Sequence, residues 1–399
     1  MMQVRNIKRN NMTSASRTDD IVKFLLDQLD PLSRTADSEW VSASDVAALL
    51  NVDRTTAFRG LQGMVAADLV QFEGDTRNRR YRLNRDSAPF IRWELAQPPG
   101  TRALAPYNHG ILESYEPNVT KWLSPEQSRA LAQIAHGSAT TNEVSYRRVM
   151  NSLLIDLSYA SSRLEDVRIT WLDTKSLVEL DERPDGLSEK EFRIVSNHKT
   201  AIQYICDHLR DIDLSRQTLL EVRQMLVHGL LGNPGDEGRI RFTPVHFTES
   251  AYRPISIPQV LDDQTRLFCD KASQIEDPFE QSLFTMAMIS YLQPFVDGNK
   301  RTSRLCMNIP LLKHSLAPFS FTEINRREYT LGLLAFYERG RVEFLAKVFH
   351  DTYLRSAPRY NDLLTLLDDG GVISSVDVAP SARHQPGAIA AKTHRRNKP

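Results

Sequence analysis

Gln293-Pro294-Phe295-Val296-Asp297-Gly298-Asn299-Lys300-Arg301-Thr302-Ser303-Arg304 is the stretch from which the fold of this chain is read. Between Asp297 and Arg304 it packs an acid, an amide, a turn glycine and three cations. A long apolar stretch, Gln281 to Leu292, leads into it, and a second, Leu305 to Leu316, follows. That layout predicts a helix–loop–helix whose loop holds an anion. Gly298 permits a tight turn with positive φ. The N–H groups of Gly298, Asn299 and Lys300 can then converge as a nest for phosphate oxygens. A helix starting near Asn299 turns its positive dipole end to the same point. Arg301 and Arg304, three apart, share a face of that helix. Two guanidinium forks suit a polyphosphate, and Asp297 suits a Mg²⁺ bridging its phosphates. The competing reading is a surface turn with solvated charges. A Walker A loop is excluded, because no glycine lies upstream at the required spacing and Asn299 separates Gly298 from Lys300.

The run resembles the signature of the Fic (Fido) family, His-Pro-Phe-x-Asp/Glu-Gly-Asn-Gly/Lys-Arg-x-x-Arg, with Gln293 in place of the histidine. The resemblance implies a mainly α fold: a helical Fic domain with a small β-hairpin flap. It also implies a protein adenylyltransferase, in which a target Ser, Thr or Tyr hydroxyl attacks the α-phosphate of ATP. Asp297 would hold Mg²⁺, Gly298, Asn299 and Lys300 the phosphates, and Arg301 and Arg304 the outer phosphates. In the family the histidine is the general base. An amide is almost non-basic, whereas imidazole titrates near pH ~6.5. General-base help is typically worth about 10²–10⁴-fold. The sequence therefore supports nucleotide binding more firmly than catalysis. Three alternatives stay open: a pseudoenzyme that senses nucleotide, a hydrolase removing AMP from proteins with Glu165 positioning water, and a nucleotide-responsive DNA-binding regulator.

Ser161-Ser162-Arg163-Leu164-Glu165-Asp166 reads by itself as a helix end with a solvated acid. It also resembles the family's inhibitory motif, Ser/Thr-x-x-x-Glu followed by Gly or Asn, with Ser161 and Glu165 matching and Asp166 departing. The resemblance implies that Glu165 pairs with Arg304 and removes the cation that would hold the γ-phosphate. Gly238 to Val245, with Tyr252-Arg253-Pro254 beyond, reads as an extended hairpin over Arg239 to Ile257. Its family counterpart, the flap, aligns a target segment by strand addition. No histidine offers a clear substitute for the missing base. His246 is the only one that chain position could bring near, and His198, His208 and His228 fall on predicted helices as structural or exposed residues.

Upstream, apolar Ile21, Phe24, Leu25 and Leu29 predict a helix from Asp20. Ser42 or Ser44 caps a helix through Leu50 with Val46, Leu49 and Leu50 inward. Asp53 caps a second helix to about Ala67 with Phe58, Leu61 and Val65 inward. Leu69–Phe72 and Arg80–Leu83 then read as strands. This order resembles a winged helix-turn-helix, a small α+β domain. There Arg54, Thr55, Thr56 and Arg59 lie on the recognition helix, and Arg77, Arg79 and Arg80 on the wing. DNA contact and a protein-interaction role both remain open.

The expected organisation is a disordered 1–19, a winged helix over 20–88 and a linker over 89–105. A Fic N-terminal helical segment over 106–190 follows, recognisable at Ser114-Tyr115-Glu116-Pro117-Asn118. The Fic core spans 191–358, and a largely disordered extension spans 359–399, with a short helix at Asn361 to Leu367. The 399 residues carry 50 basic and 50 acidic side chains, so a uniformly basic nucleic-acid wrapper is excluded and a local basic patch is not. Cys206, Cys269 and Cys306 lack metal-ligand spacing and fit a reducing cytoplasm. No apolar run approaches a membrane span and no secretory signal is evident. The partners expected are ATP, a protein target or the chain itself, DNA through the N-terminal domain, and a second copy in a homodimer.

Overall fold

The computed structural model describes residues 26, 40–75, 78–135 and 143–368. The expected disordered start, all but Leu26 of the helix expected from Asp20, Arg77 and the basic tail lie outside the described residues. The chain divides into two compact units, Met1–Arg102 and Ala103–Pro399.

Among its described residues the first unit holds a three-stranded antiparallel sheet with helices before, between and after its strands, and Leu26 is helical as well. β1 (Val41–Ser42) leads into α1 (Ala43–Leu50) and α2 (Arg54–Ala66), followed by β2 (Val70–Glu73), β3 (Arg80–Leu83) and α3 (Ala88–Leu95). The sheet order is β1-β3-β2, with Val41 opposite Tyr81 and Val70 opposite Leu83. Ser42 caps α1 through a reciprocal pair with Asp45. Asn51, in the left-handed region, ends that helix, and Asp53 caps α2. The core gathers Val46, Leu61, Met64, Tyr81 and Phe90. Two inward assignments shift: Leu49 and Phe58 are exposed, and Ala57 and Met64 take the buried face of α2 with Leu61. The linker expected from residue 89 is also corrected. Ser87 accepts the Phe90 N–H, and α3 buries Phe90, Ile91 and Leu95, so apolar burial overrides the Pro/Ala-rich composition.

The second unit is helical. β4 (Ala105–Pro106) precedes α4 (His109–Glu113), α5 (Pro125–Ala135), α6 (Glu143–Leu164), α7 (Trp171–Leu180), α8 (Glu189–Asp207) and α9 (Arg216–Val227). After β5 (Tyr252–Arg253) come α10 (Pro258–Gln274), α11 (Pro278–Leu292), α12 (Asn299–Cys306), α13 (Asn308–Lys313), α14 (Arg326–Arg339) and α15 (Glu343–Asp368). α11 is the axis of the core. From Phe279 to Leu292 it buries every residue except Gln281, the pattern of a helix apolar all round and enclosed by others. Asp277 caps it by accepting from the N–H groups of Phe279 and Glu280, and Pro278 fits its first position. The segment around Ser114–Asn118 is tied to this axis. Buried Glu280 accepts the Trp122 and Leu123 N–H groups, and Asn118 bonds the backbone of Gln274 and Glu276. The cysteines are free; Cys269 and Cys306 are buried and Cys206 partly so.

Two further expectations are corrected. No hairpin forms over 239–257. β5 pairs in parallel with β4, Ala105 opposite Tyr252, and residues 239–251 run without strand. Pro244 and Pro254 bring no N–H to a ladder. Arg241 replaces it, donating to the carbonyls of Thr243, Ile255 and Gln293. The short helix at 361–367 is instead the end of α15, which runs through Pro358. Burial of Tyr353, Ala357 and Tyr360 outweighs the single lost hydrogen bond.

Candidate active site

The loop between α11 and α12 is closed by its own residues. Gln293 ends α11 in the left-handed region, φ 51°. Its side-chain Nε2 donates to the Ser290 carbonyl at 2.6 Å. Asn299 clamps the loop through both amide atoms, accepting the Phe295 N–H at 2.9 Å and donating to the Phe295 carbonyl at 2.8 Å. Gly298 has φ 84°, and a Cβ there would lie 2.8 Å from Val227 Cγ1. Both the turn and the close packing therefore require glycine. The Gly298 N–H is taken by Asp297 Oδ1 at 2.6 Å, so it is not free for an anion in this geometry. α12 begins at Asn299 without any side-chain cap on its first turn.

Guanidiniums surround this loop. Arg301 is buried, donating to the Leu226 carbonyl and to Asp297 Oδ2, the latter at 2.9 Å. Its Nε has no hydrogen-bond partner, and Glu165 Oε2 lies 3.8 Å from it. Buried Arg223 bonds the backbone carbonyls of Asp297 and Asp236 and lies over the Phe295 ring, while its Nη2 is unpartnered. Burial lowers its pKa to about 10 even beside Asp297. Arg241 holds the start of the loop through the Gln293 carbonyl at 2.7 Å. Around the loop, among the described residues, the charged side chains that accept hydrogen bonds from Arg223, Arg241, Arg301 and Arg304 are Glu165 and Asp297. The site is therefore rich in desolvated positive charge.

Glu165 reaches it from the end of α6. Its Oε1 accepts from Arg304 Nη2 at 2.6 Å, and Arg304 Nε donates to Ser161 Oγ at 2.9 Å. Burial alone would raise the Glu165 pKa, but Arg304 and Arg301 outweigh it and hold the carboxyl at about 2. A Schellman end aims the carboxylate. The Val167 N–H returns to the Ser162 carbonyl, the Asp166 N–H to the Arg163 carbonyl, and Asp166 takes the left-handed position at φ 64°. Asp thus fills the place for which Gly or Asn was expected, and an exposed ion pair with Arg326 accompanies it.

The structure brings together Ser161, Glu165, Asp297, Gly298, Asn299, Arg301 and Arg304. Lys300 is exposed on the first turn of α12. Gln293 borders the loop with its side chain turned back on α11. His246 is exposed, His208 bonds the Tyr204 carbonyl and His228 bonds Glu237. Arg223, Arg241 and His198 are site residues that the sequence reading missed. A cation within the apolar stripe Leu219–Val222–Leu226 was the available signal for Arg223. In the first unit Arg54, Thr55, Thr56 and Arg59 are all exposed, but the Thr56 hydroxyl is engaged by Asp53.

A family model described as the Fic/DOC family matches residues 213–311, from just before α9 through the loop to α13. The chain carries a Fic domain. Among curated proteins, "Protein adenylyltransferase Fic" of Nematostella vectensis is 27% identical over 190 residues, 46% of this chain and 43% of that protein. "Protein adenylyltransferase fic-1" of Caenorhabditis elegans is 26% identical over 195 residues, 47% of this chain and 37% of that protein. The match thus spans less than half the length of these relatives. A solved structure of C. elegans Fic-1 superposes with a TM-score of 0.50 at 20% identity, covering 60% of this chain and 72% of that one. It supports the Fic fold of the helical unit and nothing finer.

Proposed function

We propose that this chain is a Mg·ATP-binding Fic-type protein adenylyltransferase, held off by Glu165 and weakened by Gln293. The observation that carries this reading is the Arg304–Glu165 pair at 2.6 Å beside an unpartnered, buried Arg301 Nε. Buried donors left without acceptors are costly, and an anion would satisfy them. The uncapped start of α12 and the orphaned Nη2 of Arg223 favour the same ligand. Asp297 would hold Mg²⁺ together with phosphate oxygens. No cluster of three or more His, Cys, Asp or Glu suited to a metal exists among the described residues, so one carboxylate plus phosphates is the set that fits. Bound there, the ion would neutralise phosphate charge.

In the transfer, a hydroxyl oxygen bonds to the α-phosphorus, the α–β phosphoanhydride bond breaks and pyrophosphate leaves. The hydroxyl proton passes to a phosphate oxygen of the nucleotide or to water, since position 293 offers no imidazole. The Gln293 amide can orient the hydroxyl but does not take its proton near neutral pH. The target is a protein Ser, Thr or Tyr hydroxyl or the chain itself, in the cytoplasm. The relatives named as protein adenylyltransferases support this chemistry. Isothermal calorimetry with Mg·ATP tests the reading. Glu165→Gly should tighten binding by about tenfold or more, the worth of a charge-assisted hydrogen bond that no longer competes. Absence of ATP binding in both wild type and variant would overturn it.

For the first unit we propose DNA binding through a winged helix-turn-helix arrangement. The exposed Arg54, Thr55 and Arg59 on α2 favour it.

A further inference from the structure

His198 lies on α8, fully buried, and belongs to neither the loop nor the inhibitory motif. Both ring nitrogens are engaged. Nδ1 lies 2.7 Å from the Ile194 carbonyl and Nε2 lies 2.8 Å from Ser161 Oγ. The directions are forced. A carbonyl only accepts, so Nδ1 carries the proton and Nε2 is an acceptor. Arg304 Nε only donates, so Ser161 Oγ accepts from it and turns its own proton to His198. The result is one ordered chain from Arg304 through Ser161 and His198 to the α8 backbone. Burial and the neighbouring Arg301 hold the imidazole pKa down to about 3, so the ring is neutral under ordinary conditions and the direction of the chain is stable.

We infer that His198 is a positioning residue for the nucleotide site: through the Ser161 hydroxyl it fixes the Nε edge of Arg304, leaving the Nη edge, whose Nη2 also reaches the Ser161 carbonyl at 3.4 Å, for Glu165 or for an anion that displaces it. This rests on the nucleotide reading proposed above for the ligand, and on the geometry alone for the orientation of Arg304. A fully buried guanidinium that loses one partner can swing, and a swung fork no longer presents two parallel donors. Ser161 therefore serves both states of the site. It braces Arg304 while Glu165 is bound, and it keeps Arg304 aimed once Glu165 leaves. A histidine that merely fills the core would be replaceable by an apolar side chain of similar size. A relay needs an acceptor at the Nε2 position, which the Oε1 of glutamine can supply.

The test uses the full chain in the Glu165→Gly background, where no carboxylate competes. Mg·ATP affinity by calorimetry should fall about tenfold in His198→Met, the scale of one hydrogen bond to a charged group, and return to within about threefold in His198→Gln. Ser161→Ala should match His198→Met, and the two together should cost no more than either. An affinity unchanged in His198→Met, or a glutamine variant no better than methionine, overturns the inference. Nitrogen-15 NMR of the arginine Nε–H groups, without nucleotide, reads the relay separately. The slowly exchanging Arg304 signal should persist in His198→Gln and vanish in His198→Met. Its persistence in the methionine variant refutes the relay. If the Glu165→Gly protein binds no ATP, the nucleotide reading falls while this signal still decides the role of His198.

Discussion

At the scale of the residue, Gln293 sets how much chemistry remains. Its amide donates to the Ser290 carbonyl at 2.6 Å. A histidine at 293 could make the same bond with Nδ1–H, which would fix the tautomer and leave Nε2 as the base. Gln293→His should therefore raise transfer of α-labelled ATP into protein by up to about 10²-fold, the lower end of general-base effects. A wild type already as active as the histidine variant would show that another group takes the proton. Glu165 supplies a second residue-scale prediction. Its pKa is depressed from an ordinary 4.5 to about 2, so its stabilising ion pair is fully present above pH ~4.5 and is lost as pH falls toward 2. The urea stability of wild type over Glu165→Gln should accordingly be constant from pH 5 to 8 and shrink below pH ~4.5. An advantage that changes between pH 5 and 8 would mean the pair is not the one seen here.

At the scale of the element, α6 is held from two sides. Its end presents Glu165, and two and a half turns earlier Asp156 is wholly buried. Asp156 accepts from Trp171 Nε1 at 2.7 Å, Arg359 Nη1 at 2.8 Å and the Tyr360 hydroxyl at 3.0 Å. Burial raises its pKa, against the pull of Arg359. Removing it leaves the Arg359 charge without its partner, so Asp156→Ala should cost about 3–5 kcal/mol in a denaturant melt, and Asp156→Asn less. Equal losses in the two variants would argue that packing, not the acceptor, matters. This clamp explains what the sequence could and could not announce. The helix–loop–helix around Gly298 was legible because local rules, a glycine turn and a helix face, determine it; the Ser161/Glu165 pair was legible only through its resemblance to the inhibitory motif, since by itself that stretch reads as a helix end with a solvated acid. Asp156–Arg359 joins positions 203 apart. Arg241 replaces a strand ladder with side-chain bonds to three carbonyls, and Phe90 buries a segment of linker-like composition. All three are tertiary decisions, and no window of local pattern contains them.

At the scale of the whole molecule, the chain is electrically balanced, with 50 basic and 50 acidic residues, yet its positive charge is unevenly spent. In the helical unit four arginines are buried or engaged around one loop. In the first unit Arg54, Arg59 and Arg80 are exposed, and Arg79 lies over Phe72 at 4.3 Å. No helix among the described residues is long and apolar enough to cross a membrane. Phosphate contacts release counterions, and affinity then falls steeply with salt. The full chain should shift a random duplex at low ionic strength, and the binding should weaken as salt rises. Arg54→Ala with Arg59→Ala should reduce the slope of log affinity against log salt by about two, one for each lost phosphate contact. The exposed Leu49, Val52 and Phe58 around α2 define the opposite outcome. If the double variant binds duplex as the wild type does, with the same slope, the arginines do not face phosphate. The apolar residues beside them would then mark that face as a protein-binding surface.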